Sequence, residues 1–175
     1  MLAGKQLEKI FNSTNFNDMG SLRYLYKHIE NKGIFDKLKE MGLEVKEYTA
    51  ADSNEIASVT KLACQNSDVL YVPTDNTMAS SAKTIDNIAK PAGVPIIAGE
   101  EGICSGCGIA TLSISYYDIG YKAGEMAYDI LVNGKDPATM DIEFVPEDKL
   151  TKEYDAARCK ALGLKVVDGY KAIES

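Results

Sequence analysis

The chain has 175 residues, enough for one domain with a substantial core, and at 45% hydrophobic content it falls outside the disordered class. No apolar run approaches the roughly 20 residues of a spanning helix. A formal net charge of −7 argues against gripping nucleic-acid phosphates, which takes clustered basic residues, so no nucleic-acid partner is expected. The opening MLAGKQLEKIF has a basic start without a following apolar segment, so it does not read as a signal peptide.

Leu7 to Phe11 reads as a short strand, followed by the polar loop NSTNFNDMG. Leu22, Leu25, Tyr26 and Ile29 recur at helical spacing, and the pattern resumes through Ile34, Leu38 and Met41 to a C-cap glycine, Gly42. Leu43 to Tyr48 alternates as a strand does. Asp52 with Glu55 has the form of a capping box ahead of the apolar face Ile56, Val59 and Ala63. Val69 to Val72 is an unbroken apolar strand, Ser80 to Lys90 a helix stopped by Pro91, and Val94 to Ala98 another strand. Cys104 and Cys107 sit in the glycine-rich stretch GICSGCGIA, read as a loop before a strand over Ile109 to Ile114.

Short apolar strands alternating with helices, with no hairpin signals between them, predict an α/β fold: a parallel sheet in a three-layer sandwich with right-handed crossovers. Ligands in such sheets bind beyond the carboxyl ends of the strands. The polar stretches Asn12–Asn15, Thr74–Thr77 and Gly99–Glu101 all follow strands, so they are expected on one edge, around one site. Further on, Ile119, Ala123, Met126, Ala127 and Ile130 mark an amphipathic helix over Asp118–Leu131, closed by Asn133 and Gly134. Ile142 to Val145 suggests a small strand, Thr151 to Leu162 a helix capped by Thr151, and Leu164 to Val167 a last apolar run.

Catalytic and cofactor chemistry find little support. The one histidine, His28, lies in a helical pattern, and there is no nucleophile elbow, phosphate loop or dinucleotide fingerprint. A lone Cys-x-x-Cys is weak evidence for redox chemistry, and a zinc site would need further ligands; Cys64 reads as core packing. No enzyme activity, cofactor or metal is therefore expected. Asp75 and Glu100 are carboxylates that could hold an ammonium group, while Asp75 and Asn76 could equally cap the next helix. Helix N-termini nearby attract anions such as a ligand carboxylate, so the pattern suits an amino-acid zwitterion.

Taken in order, IFNSTNFN, GLEVKEYTAADSNEI, DVLYVPTDNT, VPIIAGEEG and IATLSISYYDIGYKAGEMAYDIL resemble the substrate-binding proteins of ABC transporters, in the group linked to tryptophan and tyrosine uptake. The resemblance implies one lobe, the second, of a type I periplasmic-binding fold. Residues 1–113 would form the ligand-binding lobe, 114–137 the crossover helix that normally packs on the first lobe, and 138–175 the return segment. It also implies ligand contacts at Ser13, Asn15, Thr74, Asp75, Asn76, Thr77 and Glu100, and an amino-acid ligand passed to a membrane permease. An extracytoplasmic lipoprotein is implied for the full-length form. Without a first lobe, the apolar face of Asp118–Leu131 is expected to drive self-association. Two other readings share features of the sequence: a ligand-sensing regulatory domain on the same fold, and a flavodoxin-like enzyme, of which NSTN is a faint echo.

Overall fold

The computed structural model describes residues 40–143, 145–166 and 168–173. The expected strand Leu7–Phe11, the helical pattern from Leu22 through Leu38, and Ser13, Asn15 and His28 lie outside the described residues. In chain order the elements are α1 (Ile56–Asn66), β1 (Leu70–Val72), α2 (Asn76–Ser80), α3 (Ala82–Ala92), β2 (Ile96–Ala98) and α4 (Glu101–Cys107), followed by β3 (Ala110–Ser113), α5 (Tyr116–Leu131), β4 (Thr151–Tyr154), α6 (Ala156–Ala161) and β5 (Lys171–Ala172).

The strands form one sheet in the order β1-β2-β3-β4-β5. β1 pairs with β2 and β2 with β3, both parallel, with Tyr71 opposite Ile97 and Ile97 opposite Ala110. β4 and β5 are also parallel to each other. The Asp155 N–H donates to Ile109 O at 2.9 Å, so the end of β4 lies beside the start of β3 and the second pair runs opposite to the first three strands. The sheet is thus mainly parallel. Side chains alternate across it: Leu70, Val72, Ile96 and Ala98 enter a core with Ile56, Ala63, Ile85, Ala89 and Ile103 from the helices. Tyr71 and Ile97 enter a second core with Ile109, Cys159, Leu43, Val45 and Leu162. Burial on both faces accounts for the unbroken apolar character of these strands.

Several elements differ from the sequence expectation. Leu43–Tyr48 forms no strand; the alternation is real burial, with Leu43 and Val45 half-buried between exposed neighbours, and among the described residues no ladder pairs with it. Asp52 and Glu55 bond Asn54 N–H and Ala51 N–H, both at 2.7 Å, an arrangement just ahead of α1 instead of a cap on its first residue. Ser80 ends the separate short helix α2, and the helix expected over Ser80–Lys90 is α3, which starts at Ala82 and runs through Pro91. Gly93, at φ +72°, ends it, while the Val94 N–H bonds Ala89 O at 3.1 Å. GICSGC is not a loop but the body of α4. Thr151 starts a strand, and the cap of the last helix is Asp155, whose Oδ1 accepts from Arg158 N–H at 2.7 Å. Ile142, Glu143 and Val145 carry no strand, nor do Leu164–Val166, and β5 follows later.

The described chain divides into two compact units, one holding the residues up to Leu112 and from Lys152 onward, the other Ser113–Thr151. In the second, Ser115 Oγ accepts from Asp118 N–H at 3.2 Å and starts α5. Lys122 bridges Glu143 at 2.7 Å and Asp129 holds Lys135 at 2.6 Å beyond the helix end. None of the α5 side chains is buried, and Tyr117 and Leu131 are 77% and 83% exposed.

One polar contact in the sheet is left incomplete. Counting from the Asp155–Ile109 bond, Glu153 lies opposite Thr111, and both Glu153 Oε2 and Thr111 Oγ1 are buried without a partner among the described residues. Burial pushes the Glu153 carboxyl up, the nearby Glu101 adds to this, and Lys171 opposes it. A carboxyl raised by folding contributes stability while protonated and loses it as pH rises through its folded value. Glu153→Gln should therefore raise the melting temperature at pH 7, with the gain vanishing below the ordinary glutamate range. Thermal melts of both chains between pH 3.5 and 8 check this; a gain that persists at low pH would locate the effect in packing.

Candidate functional site

β1 and β2 are adjacent and parallel, so the chain leaves both at the same edge of the sheet. The two exits are joined. Gly99 N–H donates to Val72 O at 2.8 Å, and Thr74 Oγ1 donates to Gly99 O at 3.0 Å. A Cβ at Gly99 would stand 2.6 Å from Thr74 N and 2.9 Å from Pro73 C, so only glycine permits this approach. The loops carrying Asp75 and Glu100 are thereby brought side by side.

Both carboxylates start helices. Asp75 Oδ1 accepts from Met78 N–H at 2.9 Å, and Asp75 O accepts from Ala79 N–H at 2.9 Å, beginning α2. Among the described residues no hydrogen bond reaches Asp75 Oδ2. Glu100 is more fully engaged: Oε2 accepts from Gly102 N–H at 2.9 Å and Oε1 from Ile103 N–H, so both oxygens cap α4. Asp75 and Glu100 are half-buried, while Thr74, Asn76 and Thr77 are exposed. Of the residues expected at the site, the structure brings Thr74, Asp75, Asn76, Thr77 and Glu100 together on two stitched loops. Thr74 uses its hydroxyl proton to hold the loops, and Glu100 orders a helix. Of the two carboxylates, only Asp75 keeps an oxygen, Oδ2, that no hydrogen bond reaches among the described residues. Sequence reasoning missed Gly99 as the residue that permits the approach; a glycine directly after a buried parallel strand was the available signal.

Redox chemistry at the cysteines has no footing here. Cys104 and Cys107 lie in α4 as free thiols, both buried. Burial pushes both thiols up, Cys107 to about 12 and Cys104 further, and Cys159 to about 11. A reactive thiol needs the opposite shift. Among the described residues no group of three His, Cys, Asp or Glu could hold a metal ion, and no helix is long and apolar enough to cross a membrane.

Residues 28–163, more than half of the chain, match the family model for ABC transporter substrate binding proteins. The chain belongs to the ABC transporter substrate binding protein family. It is 30% identical over 171 residues to a tyrosine-binding protein of Clostridioides difficile, covering 98% of this chain and 47% of that protein. It thus spans about half the length of this substrate-binding relative. Among solved structures it resembles the ligand-free, open form of a substrate binding protein with adhesive properties from Clostridium difficile (33% identity, TM-score 0.60, covering 86% of this chain and 53% of that one). It shares its fold with an ABC domain in complex with L-Trp from Streptococcus pneumonia (23% identity, TM-score 0.73, covering 85% and 53%). The family match includes Thr74–Thr77 and Glu100 but begins after Ser13 and Asn15. Residues 1–47 match a second model, a domain of unknown function. Forty-four residues are 50% identical to GTPase Obg of Clostridioides difficile, covering 25% of this chain and 10% of that protein.

Two outcomes follow from this geometry. Gly99→Ala forces backbone apart at the loop junction and should cost about 1–3 kcal/mol in urea unfolding, the range for overpacking. Thr74→Val, which removes one hydrogen bond at an exposed position, should cost about 1 kcal/mol or less. Equal costs would show that the close approach is not what holds the loops. Cys104, Cys107 and Cys159 should label with a disulfide reagent at pH 8 only after denaturation, read by mass; fast labelling of the native chain would contradict their burial.

Proposed function

We propose that this chain is the solute-binding part of an ABC uptake system for an amino acid, one with an aromatic side chain, whose ammonium group rests against Asp75. The observation that carries this is the Thr74–Gly99 junction, which sets Asp75 and Glu100 on neighbouring loops at the carboxyl edge of a parallel sheet, inside the span matched to the family. An Asp75 carboxylate whose Oδ2 takes no hydrogen bond among the described residues suits a charge-assisted bond to an ammonium group. The aromatic preference draws on the tyrosine-binding relative and on the fold neighbour that holds L-Trp. Asn76 and Thr77, exposed beside Asp75, would contact the rest of the ligand, as would the edge at Glu100. Ser13 and Asn15 fall in the span that also matches the second family model, so the site rests on residues 74–77 and 100. Delivery to a membrane permease, and a place outside the cytoplasm as a lipoprotein in a full-length form, belong to the same proposal. Because binding proteins enclose ligand between two lobes and this chain spans about half of such a relative, affinity in the chain alone should be low. The exposure of α5 supports the further expectation that two copies associate through Asp118–Leu131, which light scattering after size exclusion would read as a dimer mass.

Titration of the isotope-labelled chain with L-tyrosine and L-tryptophan, at millimolar concentrations, should shift the amide resonances of Asp75–Thr77 and Glu100–Gly102. Asp75→Asn keeps the helix cap, since Asn serves there as well as Asp, and removes the charge. That variant should leave stability unchanged and weaken binding by about tenfold or more, 1.4 kcal/mol for each factor of ten. No response at these loops to either amino acid would sink the aromatic reading. Unchanged affinity in Asp75→Asn would leave Asp75 as a helix cap only.

A further inference from the structure

Helix α4 is an improbable helix on its own sequence. It has seven residues and two of them, Gly102 and Gly106, are glycines, each costing about 1 kcal/mol in a helix relative to alanine. Short helices also lack the length that makes helix formation favourable. At its N-terminus Glu100 satisfies two free amides. Its last turn is held from a distant part of the chain. Arg158 Nη1 donates to Ser105 O at 3.0 Å and Nη2 to Gly106 O at 2.7 Å. These are carbonyls of the last turn, a place where helices leave acceptors unpaired and where a cation is favoured. The same guanidinium is fixed from two other sides. Nε donates to Asp86 Oδ1 on α3 at 2.9 Å, and Nη1 to Asp155 Oδ2, ahead of α6, at 2.6 Å. The Arg158 side chain is only 14% exposed, and Asp86 and Asp155 are 20% and 21% exposed, so solvent screens these contacts weakly. α4 also lies tight on α3, since a Cβ at Gly106 would come 2.5 Å from the Ala82 Cβ.

We propose that Arg158 is the positioning residue for the Glu100 side of the ligand site, acting through α4: it fixes one end of the helix whose other end orders the Glu100 loop. The proposal rests on the site assignment above for its functional meaning, and on the four Arg158 contacts for its physics. Four donors of one planar fork are directed to two carbonyls and two carboxylates on three elements. A lysine ammonium, with three donors and no fixed fork, cannot reproduce that set. The C-terminal segment therefore does more than complete the sheet with β4 and β5. It sets the geometry of a loop more than 50 residues earlier in the chain.

The test uses the full chain with Arg158→Lys, Arg158→Met and the milder Asp86→Asn, which removes one contact and keeps the arginine. Amide hydrogen exchange is read at Ile103, Cys104 and Gly108, whose N–H groups bond within and at the end of α4, and at Leu70 and Ile109, whose N–H groups bond between strands. Local control of α4 predicts that exchange at the first three rises about tenfold in Arg158→Lys and Arg158→Met, and less in Asp86→Asn, while Leu70 and Ile109 hold their rates. A uniform rise at all five amides would mean that Arg158 serves global stability only, and no rise would mean that α4 does not depend on it; either result overturns the proposal. The exchange pattern needs no ligand. Failure of L-tyrosine and L-tryptophan to shift the wild-type loops would count against the proposed function and leave this result standing. If the wild type responds, Arg158→Lys should lose response at Glu100–Gly102 before it loses response at Asp75–Thr77.

Discussion

Gly99 lets the chain leaving β2 lie against the chain leaving β1, and the polar edge of the sheet follows from that contact. The Gly99 N–H continues the ladder to Val72 while its carbonyl accepts the Thr74 hydroxyl, so one residue closes the strand pairing and opens the loop pairing. With the two exits stitched, α2 and α4 must begin close together. Their cap residues, Asp75 and Glu100, satisfy the first helix amides and so set two carboxylates on neighbouring loops. Capping and binding were alternatives in the sequence. In the structure both oxygens of Glu100 cap α4, while Asp75 caps α2 through Oδ1 and no hydrogen bond reaches its Oδ2 among the described residues.

How much of this was legible depended on whether the decisive contact was local. β1, β2 and β3 were readable because burial on both faces of a parallel sheet leaves nothing but short apolar runs, and α5 because its apolar period survives over four turns. α4 was not readable. Its stabilising partner, Arg158, is separated from Ser105 by more than 50 residues, so GICSGC shows only its glycines, which argue for a loop. Gly106 is instead there for contact with Ala82, as is Gly108, just past the helix, with Ala98 and Cys104. The stretch Thr151–Leu162 misled for the opposite reason: Thr151 and Asp155 are both good cap residues four positions apart, and pairing of Glu153 and Tyr154 with β5 decides that the second is the cap. Leu43–Tyr48 shows that alternation reports half-burial, while a strand needs a partner's backbone as well.

The first 47 residues carry a different lesson. The run KLKEMGLEV lies where the two family matches overlap, and lysine, glutamate, leucine and a closing glycine are what many helix ends use. Gly42 does adopt the positive φ, +78°, that such an end requires. A stretch so ordinary in its physical chemistry gives a reading of apolar spacing alone no sign that residues 1–47 also match a second family model.

The burial of Cys104 and Cys107 in α4 has a consequence for how the protein has to be handled. Two thiols three residues apart are harmless while a helix and the core beneath it enclose them. In the unfolded chain the same spacing makes them near neighbours, and an oxidant would join them into a small covalent ring that has to be reopened before α4 can form as two free, buried thiols. Until then the contacts of α4 with Arg158 and the Glu100 loop would form on altered geometry. Chain recovered from denaturant without a reductant would accumulate as a trapped, oxidised species, and the native fold would protect itself only after it had formed.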